Sequence, residues 1–425
     1  MKKFVELILK TLASKILKKY KPFIVGVTGS MGKTSTREAI AAVLESKYEI
    51  RQNFKNYNNE IGVPLTILGL ESGGRSIFKW LWIFIKGSKI LFFKIPYPEV
   101  LVLEMGADRP GDIKYLTSFV NCDIGVITGI GDIPAHVEFF STPVQLAREK
   151  SRLIDYLEEK DRAVLNFDDA RVKKLTGKTR AEILSYGFSE DAKIRAFAFG
   201  TDIGFSPETS GINFQVEFGG KTFSVKKEGI LGRHQVYPML AAMAVGLAME
   251  MNIIETIGGL KRYRAPKGRL NLIKGIKTTW ILDDTYNSSP AAAFEALKTL
   301  AEFDGRRKIA VLGDMLELGE FTEEAHKSIG KEIRNYADIF FAVGDRMKFA
   351  ALEAAKSGMA QNNILWFETA DAARMPLQHT IQKGDVILVK GSQSMRMERI
   401  VEEIMAEPDR AAELLVRQER EWKEQ

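Results

Sequence analysis

A glycine-rich loop between an apolar run and a helix-forming segment constrains this chain more than any other feature. Residues 26–36 read Gly-Val-Thr-Gly-Ser-Met-Gly-Lys-Thr-Ser-Thr and directly follow Phe-Ile-Val at 23–25. Glycines let backbone N–H groups approach phosphate oxygens, and the following helix adds the positive end of its dipole. The order of strand, glycines, lysine and threonine therefore predicts a site for a nucleoside triphosphate, the alternative being a chance glycine turn before a helix.

The loop departs from strict P-loop spacing, because Val27 stands where that spacing places its first glycine. The remaining pattern, Thr-Gly-x-x-Gly-Lys-Thr, indicates a subclass of such loops. Lys33 is predicted to reach the β- and γ-phosphates, and Thr34 to bind Mg²⁺ through its hydroxyl. The residues predicted to hold the nucleotide here are Thr28, Gly29, Ser30, Met31, Gly32, Lys33, Thr34 and Ser35.

The composition is that of a globular chain with few options for metal or disulfide chemistry. Its 425 residues predict two or three domains, and its apolar and charged contents of 45% and 27% are ordinary. A formal net charge of +6 favours anionic substrates or a membrane surface, and nucleic acid is not a predicted partner. The single cysteine, Cys122, excludes an internal disulfide and indicates a reducing compartment, which we expect to be the cytoplasm.

Two lysine-rich apolar segments predict contact with a membrane surface. Residues 1–21 carry seven lysines among apolar side chains at helical spacing, the pattern of a basic amphipathic helix. Residues 77–93 are strongly apolar, contain three lysines and place Trp80 and Trp82 where headgroups would lie. No run reaches the roughly 18 apolar residues of a spanning helix, so we expect peripheral association with the inner membrane face. The alternative is that both segments pack against the body or a partner chain.

Alternating strand and helix patterns predict an α/β fold in two units after the amino-terminal helix of residues 1–21. A central nucleotide-binding unit is predicted over 22–265 and a Rossmann-like α/β unit over 266–425, with the boundary in a basic, non-periodic stretch. Both sheets are expected to be mostly parallel, with ligands at the carboxyl ends of the strands. Alternating runs near 212–225 around Gly-Gly predict a small antiparallel patch. The charged tail after residue 407 is expected to form a solvated helix.

Candidate catalytic side chains follow the strands of the central unit. Glu104 ends a buried strand near the loop, where a Mg²⁺ ligand belongs, although a capping or ion-paired glutamate fits too. His136 follows the next strand and is predicted to bind a second Mg²⁺ or substrate, the alternative being a surface histidine. Lys150 alone resembles an ordinary solvated lysine. The asparagine-rich stretch at 56–64 is predicted either to hold substrate or to form a turn.

Polar residues also end three strand-forming runs of the second unit. Asp283, Asp284 and Asn287 follow one of them, and this group can hold a base, a ribose or a phosphate-bound cation. Residues 313–319, with His326 beyond them, end the next run, and Lys-Gly-Ser at 390–392 ends the last. Three such endings indicate a ligand site rather than fold maintenance alone.

Together these segments resemble the Mur ligases, the ATP-dependent amide-forming enzymes of peptidoglycan precursor synthesis. The resemblance is greatest to the MurF type, which adds D-alanyl-D-alanine to a UDP-muramoyl tripeptide, and it spans about residues 22–405. The blocks that carry it lie at 28–34, 58–64, 104–107, 135–138, 283–287, 311–319 and 388–392.

The resemblance implies that ATP phosphorylates a substrate carboxylate and that an amine then attacks the acyl phosphate. It implies catalytic roles for Lys33, Glu104, His136 and Lys150. It also implies Mg²⁺ ligands at Thr34, Glu104, His136 and Lys150, with Lys150 carbamylated. Arg269 and Asn287 match residues that contact ATP from the carboxyl-terminal domain, and Asp283 joins them as a predicted nucleotide-binding residue.

Departures from the family leave the substrates open. The family usually begins with a domain that grips the UDP-sugar, and because 22 residues precede the first strand-forming run, we expect that domain to be missing. Gln393 stands where the family usually has arginine. The predicted partners are a muramoyl peptide, soluble or lipid-linked, and an amine resembling D-alanyl-D-alanine. Two alternatives stay open: a Mur-like ligase for another pair, such as a polyglutamate or amino-acid polymer, and a membrane-associated nucleotide-binding scaffold with decayed activity.

Overall fold

The phosphate loop lies at the end of a large, mostly parallel sheet. The computed structural model describes residues 2–54, 57–134, 137–419 and 422. In chain order the strands of this sheet are β1 (Phe23–Thr28), β2 (Ile50–Gln52), β3 (Val100–Glu104), β4 (Ile124–Ile127), β5 (Arg162–Asn166), β6 (Glu182–Gly187), β7 (Ile194–Asp202), β8 (Gly211–Phe218) and β9 (Lys221–Glu228). Their spatial order is β2-β3-β1-β4-β5-β6-β7-β8-β9. Pairing is parallel from β2 to β7 and antiparallel across β7, β8 and β9, as predicted.

A second sheet follows the linker. Its strands are β10 (Asn271–Lys274), β11 (Trp280–Asp284), β12 (Lys308–Gly313), β13 (Ile339–Val343), β14 (Ile364–Phe367) and β15 (Val386–Lys390), in the spatial order β10-β11-β15-β12-β13-β14. All pairs are parallel except the edge pair β10 and β11. The mixed α/β fold is thus confirmed. The edge strands β10 and β14 were not foreseen, because short, half-exposed strands carry little apolar pattern.

Helices cover both faces of the sheets. They are α1 (Lys2–Tyr20), α2 (Lys33–Leu44), α3 (Gly62–Leu68), α4 (Ile77–Phe92), α5 (Asp112–Thr117), α6 (Pro143–Asp155), α7 (Ala170–Lys173), α8 (Val236–Ala248), α9 (Ile253–Leu260), α10 (Pro290–Ala301), α11 (Thr322–Glu332), α12 (Met347–Lys356), α13 (Ala370–Thr380), α14 (Glu398–Ile404) and α15 (Ala411–Leu414). Local chemistry sets their starts: Thr142 accepts a hydrogen bond from the Gln145 amide, and Pro143 occupies the first turn of α6. Among the described helices, none has both the length and the apolar character needed to cross a bilayer.

The parallel part of the first sheet is buried between two helical layers. Helices α2 and α8 pack on one face, where Val43 and Met243 are fully buried. On the other face α1 contributes Leu9 and Ile16 to a core that it shares with α3, α4 and β3. Burying these side chains is worth about 1.5–3 kcal/mol each, so the basic helix at the amino terminus is held to the body by one apolar face.

The carboxyl-terminal tail does not form the expected solvated helix. After the short α15, Leu415 and Arg417 are buried. The Arg417 guanidinium donates hydrogen bonds to the carbonyls of Thr285 and Tyr286, and it pairs with the Glu398 carboxylate at 2.9 Å. The expectation was wrong because Leu415 and Arg417 find partners in the folded body rather than water. The tail therefore returns to the carboxyl end of β11.

Candidate functional site

The phosphate loop is pinned to the end of the neighbouring strand β4. Gly32 caps α2 with φ at 75°, a backbone region that favours glycine. A Cβ on Gly29 would overlap the Thr128 hydroxyl, so the loop also needs glycine where the two segments meet. The Ser30 amide donates to the Gly129 carbonyl at 2.7 Å. The loop is thus preformed, with the amino terminus of α2 behind it.

Lys33 lies in the first turn of α2, beside the carboxylates of the site. Its Nζ donates to the Gly29 carbonyl at 2.9 Å. Burial lowers the pKa of Lys33, while the carboxylates of Glu104 and Asp108 oppose that change. The buried Ser30 hydroxyl has no hydrogen-bond partner among the described residues. Phosphate oxygens would satisfy both the orphaned hydroxyl and Lys33, whose ammonium bonds only the loop's own carbonyl within the described part of the chain.

Glu104 is held in place at the end of β3, next to the loop. Its Oε1 accepts a hydrogen bond from Asn58 at 3.0 Å, and its Oε2 faces Arg37 at 3.4 Å. Asn58 thus orients this carboxylate, a use that the sequence did not suggest. Two hydrogen bonds leave lone pairs on the carboxylate, and its oxygens together with the Thr34 hydroxyl are the ligand type that Mg²⁺ prefers.

The second metal site that the sequence predicts stays a prediction. His136 lies outside the described residues. Within the part of the chain that is described, no group of three or more histidine, cysteine, aspartate or glutamate side chains forms a ready metal cluster. Glu104 and Thr34 offer a carboxylate and a hydroxyl, which would fit a magnesium ion that takes its other ligands from phosphate and water oxygens, as is usual for this metal.

Lys150 is buried on α6, and so differs from the solvated lysine that its local sequence suggests. Its side chain is 1% exposed. Desolvation, followed by the nearby charge of Lys33, lowers the pKa of Lys150 well below its ordinary value, while Asp108 and Glu149 oppose the change. Glu149 in turn accepts the amide of Ile113 at 3.0 Å, which ties α6 to α5. The structure therefore brings Lys150 and Lys33 within electrostatic reach of each other.

A cavity of about 410 Å³ lies between the phosphate loop and the second sheet. From the first unit it is lined by Met31, Gly32, Ser35, Thr36, Thr128, Gly129, Gly131, Asp132, Asn166, Asp168, Asp169, Ala170, Arg171, Tyr186, His234, Gln235, Tyr237 and Pro238. From the linker and the second unit it is lined by Arg269, Asp284, Ala291, Ala292, Glu295 and Lys390. The Arg269 guanidinium lies 4.1 Å from the Tyr286 ring centroid, and its charge contributes to lowering the pKa of Lys33. The linker thus carries a cation to the loop.

In the second unit, the cavity is lined by Asp284 and Lys390 rather than by Asp283. Lys390 Nζ donates to Asp284 at 2.7 Å and to the Asn287 carbonyl at 2.9 Å. The Asn287 side chain accepts from the Ser288 amide and is not among the cavity-lining groups. Asp283, which was predicted to bind nucleotide, does not line this cavity, because neighbouring side chains of a strand point to opposite faces and Asp284 is the one that faces the cavity.

Asp283 is instead buried beneath the strand end. Its Oδ1 accepts from the Thr285 amide and hydroxyl at 3.2 and 2.6 Å, while Oδ2 has no hydrogen-bond partner in the described chain. Burial raises the pKa of Asp283 to about 7, although the two Thr285 hydrogen bonds oppose the change.

The end of β12 supports the fold. Asp314 accepts the Met347 amide at 2.8 Å and so anchors the start of α12. His326 accepts the Met315 amide at Nε2, 3.0 Å away, and its Nδ1 lies 2.6 Å from the Thr322 carbonyl oxygen. A histidine with both ring nitrogens used in this way holds the loop after β12 in shape. Of the three strand ends singled out in the sequence, two therefore reach the cavity.

Sequence reasoning missed the polar wall that the first unit contributes to the cavity. His234 lines it with a buried Nδ1 that has no hydrogen-bond partner among the described residues. Tyr237 donates to Asp168 at 2.9 Å on the same wall. The signal for Asp168 was available, since Asp-Asp follows the carboxyl end of β5, the edge where ligands bind. For His234 the signal was weaker, a Gly-Arg-His turn before α8.

Comparisons with known proteins agree with this architecture. A model of the Mur ligase middle domain matches residues 27–78 and 87–246, and a model of the Mur ligase, glutamate ligase domain matches residues 268–393. The UDP-N-acetylmuramoyl-tripeptide--D-alanyl-D-alanine ligase of Bacillus subtilis is 29% identical over 402 residues, which cover 94% of this chain and 79% of that protein. The Escherichia coli protein of the same name is 28% identical over 382 residues, covering 89% and 76%.

Solved structures of the same kind share the fold. The MurF ligase from Thermotoga maritima in complex with ADP gives a TM-score of 0.75 at 28% identity, with 93% of this chain and 82% of that chain covered. MurF from Acinetobacter baumannii gives a TM-score of 0.77 at 24% identity, with coverage of 93% and 79%.

Proposed function

Since this chain belongs to the Mur ligases, a family of ATP-dependent enzymes that form amide bonds, we propose that it adds D-alanyl-D-alanine or a similar amine to a muramoyl-peptide precursor of the cell wall. Relatives named for that reaction align with most of the chain at about 28% identity. The observation that carries the proposal is the convergence of Lys33, Lys150, Glu104 and Arg269 around one preformed phosphate loop. ATP would place its phosphates on that loop and its nucleoside in the adjoining cavity.

The chain's own groups suit phosphoryl transfer to a carboxylate. Lys33 and the loop amides would stabilise charge on the transferring phosphoryl group, and Arg269 would add a second cation from the linker. One Mg²⁺, held by Thr34 and Glu104, would neutralise the phosphates, and His136 would be a ligand of a second Mg²⁺. Because Lys150 has a lowered pKa, more of it is the neutral amine that reacts with carbon dioxide, and the resulting carbamate would offer oxygens to a second metal.

The direct test is a ligation assay. The protein is incubated with ATP, Mg²⁺, a muramoyl tripeptide and D-alanyl-D-alanine, and ADP, phosphate and the coupled product are measured. We expect ADP release to require both the carboxylate and the amine. A Lys33→Ala variant should lose at least about a hundredfold in rate, whereas Lys331→Ala, on the exposed face of α11, should not change it. ADP release that is indifferent to every amine and carboxylate offered would contradict the proposal.

A second candidate keeps the chemistry and changes the substrates. Gln393 stands where the family usually has an arginine. Because glutamine has no positive charge to bind a carboxylate, this position favours an amine or acceptor with a different carboxylate. A panel of amines and acceptors, scored by the mass of the coupled product, separates the candidates. A nucleotide-binding scaffold without ligase activity is disfavoured because Lys33, Glu104 and Lys150 are all present. Full biological function of Lys33→Ala would favour the scaffold.

A further inference from the structure

Helix α4 presents a wide apolar face to solvent. Phe78 and Phe92 are 84% and 83% exposed, and Leu81, Trp82 and Ile85 between them are about half exposed. These positions recur at three- and four-residue spacing, so they form one stripe along the helix. An exposed stripe of this size on a globular protein marks a surface for binding. We infer that α4 docks this protein on a bilayer surface with anionic headgroups.

Helix α4 is already folded and packed against the rest of the protein before it binds a membrane. Its opposite face is buried at Ile83 and Ile90. A Cβ on Gly87 would lie 3.0 Å from Leu12 of α1, so the two helices approach closely there. Lys19 Nζ caps α4 by donating to the carbonyls of Ile90, Leu91 and Phe93 at 2.8, 2.9 and 2.6 Å. Docking therefore needs no folding of the helix, which removes one of the usual entropic costs of binding.

The positive charge around α4 favours an anionic bilayer as its binding partner. Residues 2–21 and 76–97 together contain eleven lysines and one glutamate. The exposed Lys79 and Lys86 lie along one side of the apolar stripe, and Lys89 lies within it. Lys86 Nζ is 3.7 Å from the Trp82 ring centroid. Apolar side chains, an interfacial tryptophan and a lysine rim together suit a helix lying in the headgroup layer. Two copies facing each other through this stripe would instead bring their lysines together.

The middle of the stripe, with Leu81, Trp82 and Ile85, lies outside the residues that the family model matches, whereas Phe78 and Phe92 at its ends lie inside them. The middle-domain match stops at residue 78 and resumes at 87, so residues 79–86 fall outside it. None of the residues that line the cavity belongs to α4. Docking through α4 therefore goes beyond the proposed ligase reaction without depending on it.

Vesicle sedimentation of the full-length protein tests the inference. The probes are vesicles of phosphatidylcholine alone and of phosphatidylcholine mixed with phosphatidylglycerol. We expect salt-sensitive binding to the anionic vesicles. The double variant Lys79→Glu/Lys86→Glu should lower the partition coefficient by at least about thirtyfold, and Phe78→Glu/Trp82→Glu by at least about tenfold. Melting curves check that both variants stay folded.

The control is Ile254→Glu/Leu352→Glu, which changes side chains that are 70% and 63% exposed elsewhere on the surface. It should bind vesicles like the parent protein. Equal binding of the α4 variants, equal binding to neutral vesicles, or no binding to either kind would overturn the inference. So would a dimer, detected by gel filtration, that depends on Phe78 and Trp82 while vesicle binding does not.

Discussion

At the scale of single residues, the site places two lysine amines close together in a poorly solvated region. The pKa of each amine is lowered because little water surrounds it, and the charge of Lys33 lowers the pKa of Lys150 further. Carboxylates nearby limit the shift without cancelling it. Anionic phosphate bound at the loop would restore the charge of Lys33, so ligand binding and proton uptake should be coupled.

The pH dependence of stability follows from the lowered pKa of Lys150. Between that pKa and 10.5 the unfolded chain binds the extra proton, so stability gains from this group as pH rises. Lys150→Met removes the free-energy cost of burying this amine, so the melting temperature should rise by a few degrees at pH 7. The rise should become smaller toward pH 10. ADP release should fall at least about a hundredfold. Melts in buffer freed of carbon dioxide make the comparison, and a gain that stays constant with pH would contradict the assignment.

Asp283 should act with the opposite sign. Its pKa is raised to about 7, so up to that pH the folded chain holds a proton that the unfolded chain loses above the ordinary aspartate pKa of 3.8. The stability that this group contributes therefore falls as pH rises toward 7. Burial is the main cause of the raised pKa, the nearby charge of Asp284 raises the pKa further, and Arg417 lowers it. Asp283→Asn should stabilise the protein by about 1–3 kcal/mol at pH 8 and have little effect at pH 4. Denaturant titrations at both pH values, with the exposed Asp304→Asn as control, provide the measurement.

Local patterns located some of these residues and not others. The phosphate loop and Glu104 were visible because strand, turn and helix signals sit within a few residues of each other. The burial of Lys150 was not visible, since it depends on α5 and on Lys33, which are distant in sequence. The choice between Asp283 and Asp284 depends on which strand face meets the cavity, and pairing with β15 sets that face.

At the scale of elements, neighbouring glycines on α9 show how closely the helices pack. A Cβ on Gly259 would lie 2.7 Å from the Val43 backbone of α2, which cannot easily move. A Cβ on Gly258 would meet no heavy atom within 4 Å among the described residues. Both glycines cost helix stability, but only Gly259 is required by packing.

This pair gives a matched prediction. Gly258→Ala should stabilise the protein by about 0.5–1 kcal/mol through helix propensity. Gly259→Ala should destabilise it by about 1–3 kcal/mol, because α9 must move away from α2. Equilibrium unfolding of both variants decides the point, and equal effects would show that α9 does not pack as described.

Elements with strong apolar periodicity were easier to predict than weakly patterned ones. The hairpin of β8 and β9 was recognised because its side chains alternate around two glycines. The tail was misjudged because Arg417 finds Glu398 and the carbonyls of Thr285 and Tyr286 only in the folded chain.

At the scale of the whole molecule, the two sheets face each other across the cavity. Thr201 of β7 donates to Glu302 after α10 at 2.7 Å, and Gln235 donates to the Arg269 carbonyl at 3.1 Å. The second unit thus supplies one wall of the site, and its position should determine how well nucleotide binds.

Arg269→Ala tests that coupling. Because its guanidinium lines the cavity from the linker, we expect the KM for ATP to rise at least about tenfold with a smaller effect on kcat. The rise in melting temperature that saturating ATP produces should shrink in parallel. Arg264→Ala, an exposed arginine of the same linker, should leave both unchanged. If the two variants behave alike, Arg269 has no special part in holding the nucleotide.

The returning tail limits where the molecule can bend. Lys267 Nζ donates to the Ala412 carbonyl at 2.8 Å, and a Cβ on Gly268 would lie 3.1 Å from Val416. From residue 267 onward the linker therefore packs against the second unit and should move with it as one body. Any swing between the units must pivot within the few residues before that clasp. Because Val416 of the tail lies beside this pivot, a removable amino-terminal tag is the safer choice for kinetic work.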